Sequence, residues 1–153
     1  MKSFFIFTVI LILILLVTSF PDAAGTAKIV AKDDHYVSYA NGIVYDEKTN
    51  TEWIAGPDKF VTWDQAKAWV DGLSVEGGRW RMPTKNELKS LYKKGVGERN
   101  MKPLLKTTGW RVWSNETEGG AAAWYLNFYD GDYTWGTRES EGNPRAFAVR
   151  SRK

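Results

Sequence analysis

Cysteine does not occur in the 153 residues, which excludes disulfides, thiolate metal centres and thiol catalysis. Histidine occurs once, at His35, in a stretch expected to lead into the domain. Neither a histidine-centred triad nor a zinc site is therefore expected. Internal repeats, coiled-coil heptads and collagen-like glycine triplets are also missing. The closely spaced acids Glu116 and Glu118, and Glu139 and Glu141, read as solvent-facing loop residues, and no acid–base pair has the setting a glycosidase needs. The expectation is a protein that is not an enzyme. Without disulfides its stability must come from its core, and the 128 residues after Gly25 are enough to bury roughly two thirds of the unfolded surface.

One long hydrophobic run is present, and it is N-terminal. Met1-Lys2 gives a positive start, Phe4 to Phe20 carries no charge, and small residues follow from Pro21 to Ala27. That order is the one found in a secretory signal peptide, expected over residues 1–25. An uncleaved anchor is the alternative, in which case this segment alone would touch a membrane; the run is near the short limit for spanning a bilayer. Export follows from either reading, to the periplasm, the cell surface or the medium. Residues 26–40 are expected to be a lead-in with weak structure, and 41–153 the folded domain.

Tryptophan is abundant: eight residues, all after position 50, with seven tyrosines. Charge is uneven. Residues 79–111 hold ten Lys and Arg against Glu87 and Glu98, a directed positive field in a chain whose net charge is only +3.

The pattern predicts an α+β fold. Ile43-Val44-Tyr45 and Glu52-Trp53-Ile54 flank a polar turn and read as a hairpin. Thr62 with Gln65 matches a capping box, followed by Ala66, Trp69, Val70 and Leu73 on one helical face. Thr84 with Glu87 opens a second helix, lined inside by Leu88, Leu91 and Tyr92 and expected to run to Gly95 and Gly97. Strands follow at Trp110–Trp113, Ala122–Tyr129, Asp132–Thr137 and Arg145–Arg150, with Asp130-Gly131 as a hairpin turn.

Several pieces occur together in this order: Gly42-Ile43-Val44-Tyr45-Asp46, Thr51-Glu52-Trp53, Trp63 and Ala66, Trp80-Arg81-Met82-Pro83-Thr84 with Glu87-Leu88, Trp113-Ser114, Ala123-Trp124, and Val149-Arg150. They resemble the C-terminal domain family of the Legionella collagen-like adhesin, over about residues 42–152. The resemblance implies a C-type-lectin-like fold: two helices packed on a twisted, mainly antiparallel sheet, with a loop-rich face that carries function. It also implies an adhesin-like role in binding sulfated glycosaminoglycans and in trimer formation. This chain has no collagen repeat, so monomer and homo-oligomer both stand.

Two sets of residues are candidates for binding. Lys85, Lys89 and Lys93 recur every four residues and are expected to form one helical row, continued by Lys94, Arg99 and Lys102. Such a row suits a polyanion and also suits plain solvation. Tyr129, Tyr133 and Trp135 flank the Asp130-Gly131 turn and are expected to stack on sugar rings, while Trp113, Trp124 and Phe128 are expected in the core. No cofactor is expected. Asn127, Asp130 and Asp132 are the one set of oxygens that could converge on Ca2+, and turn chemistry explains them without it. The expected function is a non-catalytic module recognising an anionic glycan or other polyanion. The alternative is a protein–protein subunit of a cell-envelope assembly.

Overall fold

The structure is a computed structural model that describes residues 27–102, 104–139 and 143–153. The expected signal segment lies outside the described residues. Eight strands and two helices follow one another: β1 (Ile29–Asp33), β2 (Tyr36–Tyr39), β3 (Val44–Asp46), β4 (Thr51–Ala55), α1 (Trp63–Asp71), α2 (Lys85–Leu91), β5 (Arg111–Glu118), β6 (Ala122–Asn127), β7 (Asp132–Thr137) and β8 (Phe147–Ser151), with a short 3-10 turn at Val75–Gly77 before α2. The fold is α+β. Its strands form two antiparallel sheets rather than one, ordered β1-β2-β3-β4-β8 and β5-β6-β7.

The sheets meet where Arg145 forms a parallel bridge to Val112. Successive strand residues point to opposite faces, and that rule divides the core in two. Phe147 and Val149 of β8 join Trp53, Val112, Leu126 and Phe128 in one cluster, which α2 closes with Leu88 and Leu91. Ala146 and Ala148, one residue out of step, join Trp113 and Tyr125 in a second cluster, which α1 closes with Trp63, Ala66 and Val70. β8 is thus buried on both faces. This explains why Arg145–Arg150 shows no clean polar alternation.

Both predicted capping boxes form, at Thr62 with Gln65 and at Thr84 with Glu87. Burial works against the charge of Glu87, but the Arg81 guanidinium and the Thr84 backbone and hydroxyl outweigh it and hold the carboxyl below its ordinary range.

Two expectations change. Residues 27–40, the described part of the expected lead-in, are not weakly structured. Asp34 adopts φ 54° in a two-residue turn between β1 and β2, and β2 pairs with β3. Tyr36 is the reason: the residue is 2% exposed in the first core cluster. Burial, with Asp46 beside it, pushes its hydroxyl well above the usual range. The second change is that α2 stops at Leu91. Tyr92 turns extended at ψ 129° to bridge Met101, and its ring lies where a side chain at Gly131 would sit.

Candidate functional site

The stop at Leu91 breaks the lysine row. Lys93 and Lys94 lie in the exposed turn beyond α2, off the helical face of Lys85 and Lys89. Lys85 places its ammonium 4.2 Å from the Trp124 ring centroid and 3.2 Å from Glu116. Lys89 donates to the Gly131 carbonyl and lies 5.8 Å from the Tyr133 ring. Tyr133 in turn donates its hydroxyl to the Lys85 carbonyl at 2.9 Å, and burial raises its pKa. Lys85, Lys89 and Tyr133 therefore join α2 to the three-stranded sheet. Trp124, expected in the core, is half-buried beneath Lys85, whereas Trp113 and Phe128 are fully buried.

The remaining candidates separate. Lys102 turns inward over Tyr36, 3.7 Å from Asp34. Trp135 is exposed on β7, whose far side pairs with no strand among the described residues. The Asn127 amide and the Asp132 backbone N–H both donate to the Asp130 carboxylate across the β6–β7 turn, so of the oxygens considered for Ca2+ those of Asp130 close that turn.

Arg99 and Tyr129, by contrast, come together, and around a residue not singled out as a ligand contact. The Arg99 guanidinium stacks 4.7 Å from the Trp110 ring centroid, and Tyr129 meets the same ring edge-on at 5.5 Å. Asn100 holds this arrangement. It bridges the carbonyls of Phe128 and Tyr129 through its side-chain amide, and its side-chain oxygen accepts from the Gly95 amide. Its φ of 51° is in the left-handed region that asparagine tolerates best after glycine.

Opposite stands the loop of Gly56 to Phe60. Gly56 donates to Ala146 of the chain entering β8, where a Cβ would meet that carbonyl at 2.6 Å. Asp58 then accepts from Arg145 Nε at 2.8 Å, Thr107 Oγ1 at 3.1 Å and Thr108 N at 3.0 Å. The hydrogen bond from Arg145 is the chief cause holding this carboxyl well below the usual carboxylate range, with the two threonines adding to it against some desolvation. Arg145 also lies 4.6 Å from the ring centroid of Phe60.

Between these walls opens a cavity of about 480 Å³, lined among others by Phe60, Trp110, Arg111, Asn127, Tyr129 and Asn143. Tyr129 is 69% and Phe60 57% exposed, so both offer free ring surface at its mouth. A second cavity of about 530 Å³ adjoins it through Thr108 and is bordered by Asp58, Glu98, Arg99 and Lys106. The arrangement has flat rings for apolar sugar faces, amides for hydroxyls, and arginines for anions. Phe60, Asn143 and Arg145 lie too far along the chain from the aromatic cluster to be linked to it by spacing, since only the fold joins them.

The residues that carry the family resemblance do different work. Trp63 donates its indole N–H to Ser114, Trp113 to Val61 and Trp80 to Val75, while Arg150 pairs with Glu52 and stacks 4.3 Å from Trp80. They build the frame, and none of them lines either cavity. No curated protein matches the chain. The sequence model of the Lcl C-terminal domain family matches residues 42–150.

Proposed function

The chain belongs to the Lcl C-terminal domain family, an adhesin-like module, and from that premise we propose that it is an exported, non-catalytic protein that recognises an anionic glycan at the cavity between Phe60 and Tyr129. The observation that carries this reading is the pair of exposed rings flanking a concave site that also holds Trp110, Asn127, Asn143 and arginine. Contiguous exposed apolar surface rimmed by polar groups marks interaction sites. Sugar rings present apolar faces to them, and the hydroxyls at their rims want amide partners.

The charge preference moves with the site. Lys85 and Lys89 are occupied within the fold, so the positive field is supplied by Arg99 and Lys106 at the larger cavity and by Lys93 and Lys94 in the turn alongside. The test is retention of the protein on immobilised heparin, a generic polyanionic glycan, as salt is raised, followed by a glycan panel run with and without Ca2+. Elution in the order set by net charge alone, unchanged by Tyr129→Ala and Phe60→Ala, is the result that overturns the proposal.

A second reading rests on Trp135, which is 56% exposed on the unpaired edge of β7. An edge strand offers unpaired backbone groups to another chain, which suits a protein–protein role in an envelope assembly. Light scattering of the purified chain separates the two. A stable oligomer that Trp135→Ser dissolves favours the second.

A further inference from the structure

The edges of the two sheets are β1, β8, β5 and β7, and they are not alike. β8 is covered by Arg81, whose backbone exchanges two hydrogen bonds with Val149. β5 is covered by Pro83 and by the chain entering β8, which accept from the amides of Asn115 and Trp113. β1 is bulged between Ile29 and Ala31 and carries exposed Lys32 and Asp33. Bulges and charges keep an edge from pairing. β7 has no such guard. From Tyr133 to Thr137 it holds no charge and no proline, and its register is unbroken.

The phase of this strand follows from two hydrogen bonds. Arg138 N–H donates to Ala121 on the β6 side, while Phe128 N–H at the end of β6 turns the other way, to Trp110. Backbone groups alternate in direction along an antiparallel ladder. Thr134 and Gly136 therefore bond to β6, and Tyr133, Trp135 and Thr137 aim their N–H and C=O groups at the open edge. Trp135 lies directly opposite Trp124, so the two share one face. Asp132 and Arg138 share the other face.

Resting on the protein–protein reading above, we infer that the partner at this edge is a second copy of the chain, paired antiparallel through β7 about a two-fold axis at Trp135. Trp135 then faces itself, Tyr133 faces Thr137, and Asp132 faces Arg138. The residues with outward backbone groups bond to one another, and the two three-stranded sheets become one. On one face Trp124, Trp135 and their counterparts stand in a row at strand spacing, which covers the exposed Trp135 ring. On the other, the exposed Asp132 carboxylate, without a partner among the described residues, meets the guanidinium that holds Asp64. Moving the axis by one residue keeps the backbone bonds but separates the tryptophans and takes Asp132 away from Arg138. Side chains thus select the register. A two-fold pairing closes at two copies, so it is distinct from the trimer that the family resemblance implies.

The experiment is analytical ultracentrifugation of the purified protein over about 1–500 µM, a span suited to a small interface. The expected mass climbs from one copy to two and stops. Trp135→Lys holds it at one copy with the melting temperature of the monomer unchanged. Asp132→Lys sets cation against cation and weakens association about tenfold, because the two-fold repeats the pair. The chain has no cysteine, so introduced thiols read the register. Trp135→Cys brings two Cα atoms to about 5.5 Å and oxidises to a covalent dimer, whereas Asp132→Cys lies far from its own counterpart and does not. A monomer throughout, a mass that goes on to three copies, or equal cross-linking of the two thiols overturns the self-pairing. In that event a photoreactive benzoyl-phenylalanine in place of Trp135, irradiated in cells, judges the reading beneath it. Capture of a different envelope chain leaves that reading standing, and no capture removes it too.

Discussion

Arg145 Nε and Asp58 Oδ1 lie 2.8 Å apart, joining the loop before α1 to the chain entering β8 across 87 residues. The same guanidinium reaches Thr108 Oγ1 at 3.2 Å, so one buried cation gathers three separate segments around the wall common to both cavities. Its side chain is 7% exposed and that of Asp58 39%. The cation is sealed in, while the anion faces water.

That asymmetry sets a pH dependence. The carboxyl of Asp58 is held below the usual range in the folded protein, so its contribution to stability is complete above the unfolded pKa, near 4, and fades as pH falls toward the folded value. Asp58→Asn strands a buried guanidinium and is expected to cost about 1–3 kcal/mol at pH 7. Solvent screening keeps it toward the lower part of that range. Urea unfolding of both proteins at stepped pH checks this. The difference should be constant above about pH 5 and shrink below about pH 4, and a difference that grows on acidification contradicts the assignment.

A second pair is purely structural. Arg150 meets Glu52 at 2.7 Å with both side chains about a tenth exposed, and also donates to the carbonyls of Glu76 and Gly78. Removing one partner of a buried pair costs about 3–5 kcal/mol, because the other charge remains. Arg150→Ala should lower the urea midpoint accordingly, and Glu52→Leu with Arg150→Met should recover part of the loss. If Arg150→Ala leaves the midpoint where it was, the lock on the 75–78 segment does not hold.

The lysines divide by role. Lys85 and Lys89 lie on aromatic rings between α2 and the three-stranded sheet, contacts worth about 0.5–1 kcal/mol each. Lys85→Ala with Lys89→Ala should lower the melting temperature with little change in heparin retention. Lys93→Ala with Lys94→Ala should do the reverse, eluting at lower salt with stability intact, because these two ammonium groups are exposed. Equal loss of retention in the two double variants returns the site to the helical row.

Gly109 is packed flush against the cation. A Cβ there would meet Arg145 Cγ at 2.6 Å, and the stem of a buried side chain cannot swing away. Gly109→Ala should cost about 1–3 kcal/mol through overpacking, and should weaken binding by tilting Arg145 off Phe60. Gly120→Ala is the control, since a Cβ there meets nothing within 4 Å. Equal stability of the two variants removes the steric argument.

Local rules made much of this fold legible in the sequence. The capping boxes at Thr62 and Thr84, the hairpin around Asp46–Thr51 and the strand Asp132–Thr137 depend on neighbours a few residues apart. Tyr36 and the end of α2 did not follow such rules. The first is held by a cluster assembled from distant strands, and the second by Tyr92 settling on Gly131, about 40 residues on. The grouping of residues around the cavities was not legible for the same reason. Arg99, Tyr129 and Trp110 stood out as basic or aromatic residues, but Phe60, Asp58 and Arg145 gain meaning only once β8 lies beside β4. The regular spacing of the lysines presumed a helix about one turn longer than tertiary packing allows.

The aromatic rims are where binding and stability should come apart. Phe60 and Tyr129 each expose more than half their surface. Truncating either removes little burial and should change stability by no more than about 0.5 kcal/mol. A sugar ring stacked on them would lose about 0.5–1.5 kcal/mol of ring contact at each position, which is up to about tenfold in affinity. Phe60→Ala and Tyr129→Ala should therefore weaken glycan binding while melting temperatures stay put, and Tyr129→Phe should retain most of the affinity if stacking rather than the hydroxyl matters. Trp135→Ala, on the distant β7 edge, should leave glycan affinity unchanged. A larger loss for Trp135→Ala than for Tyr129→Ala would move glycan recognition from the cavity to that edge.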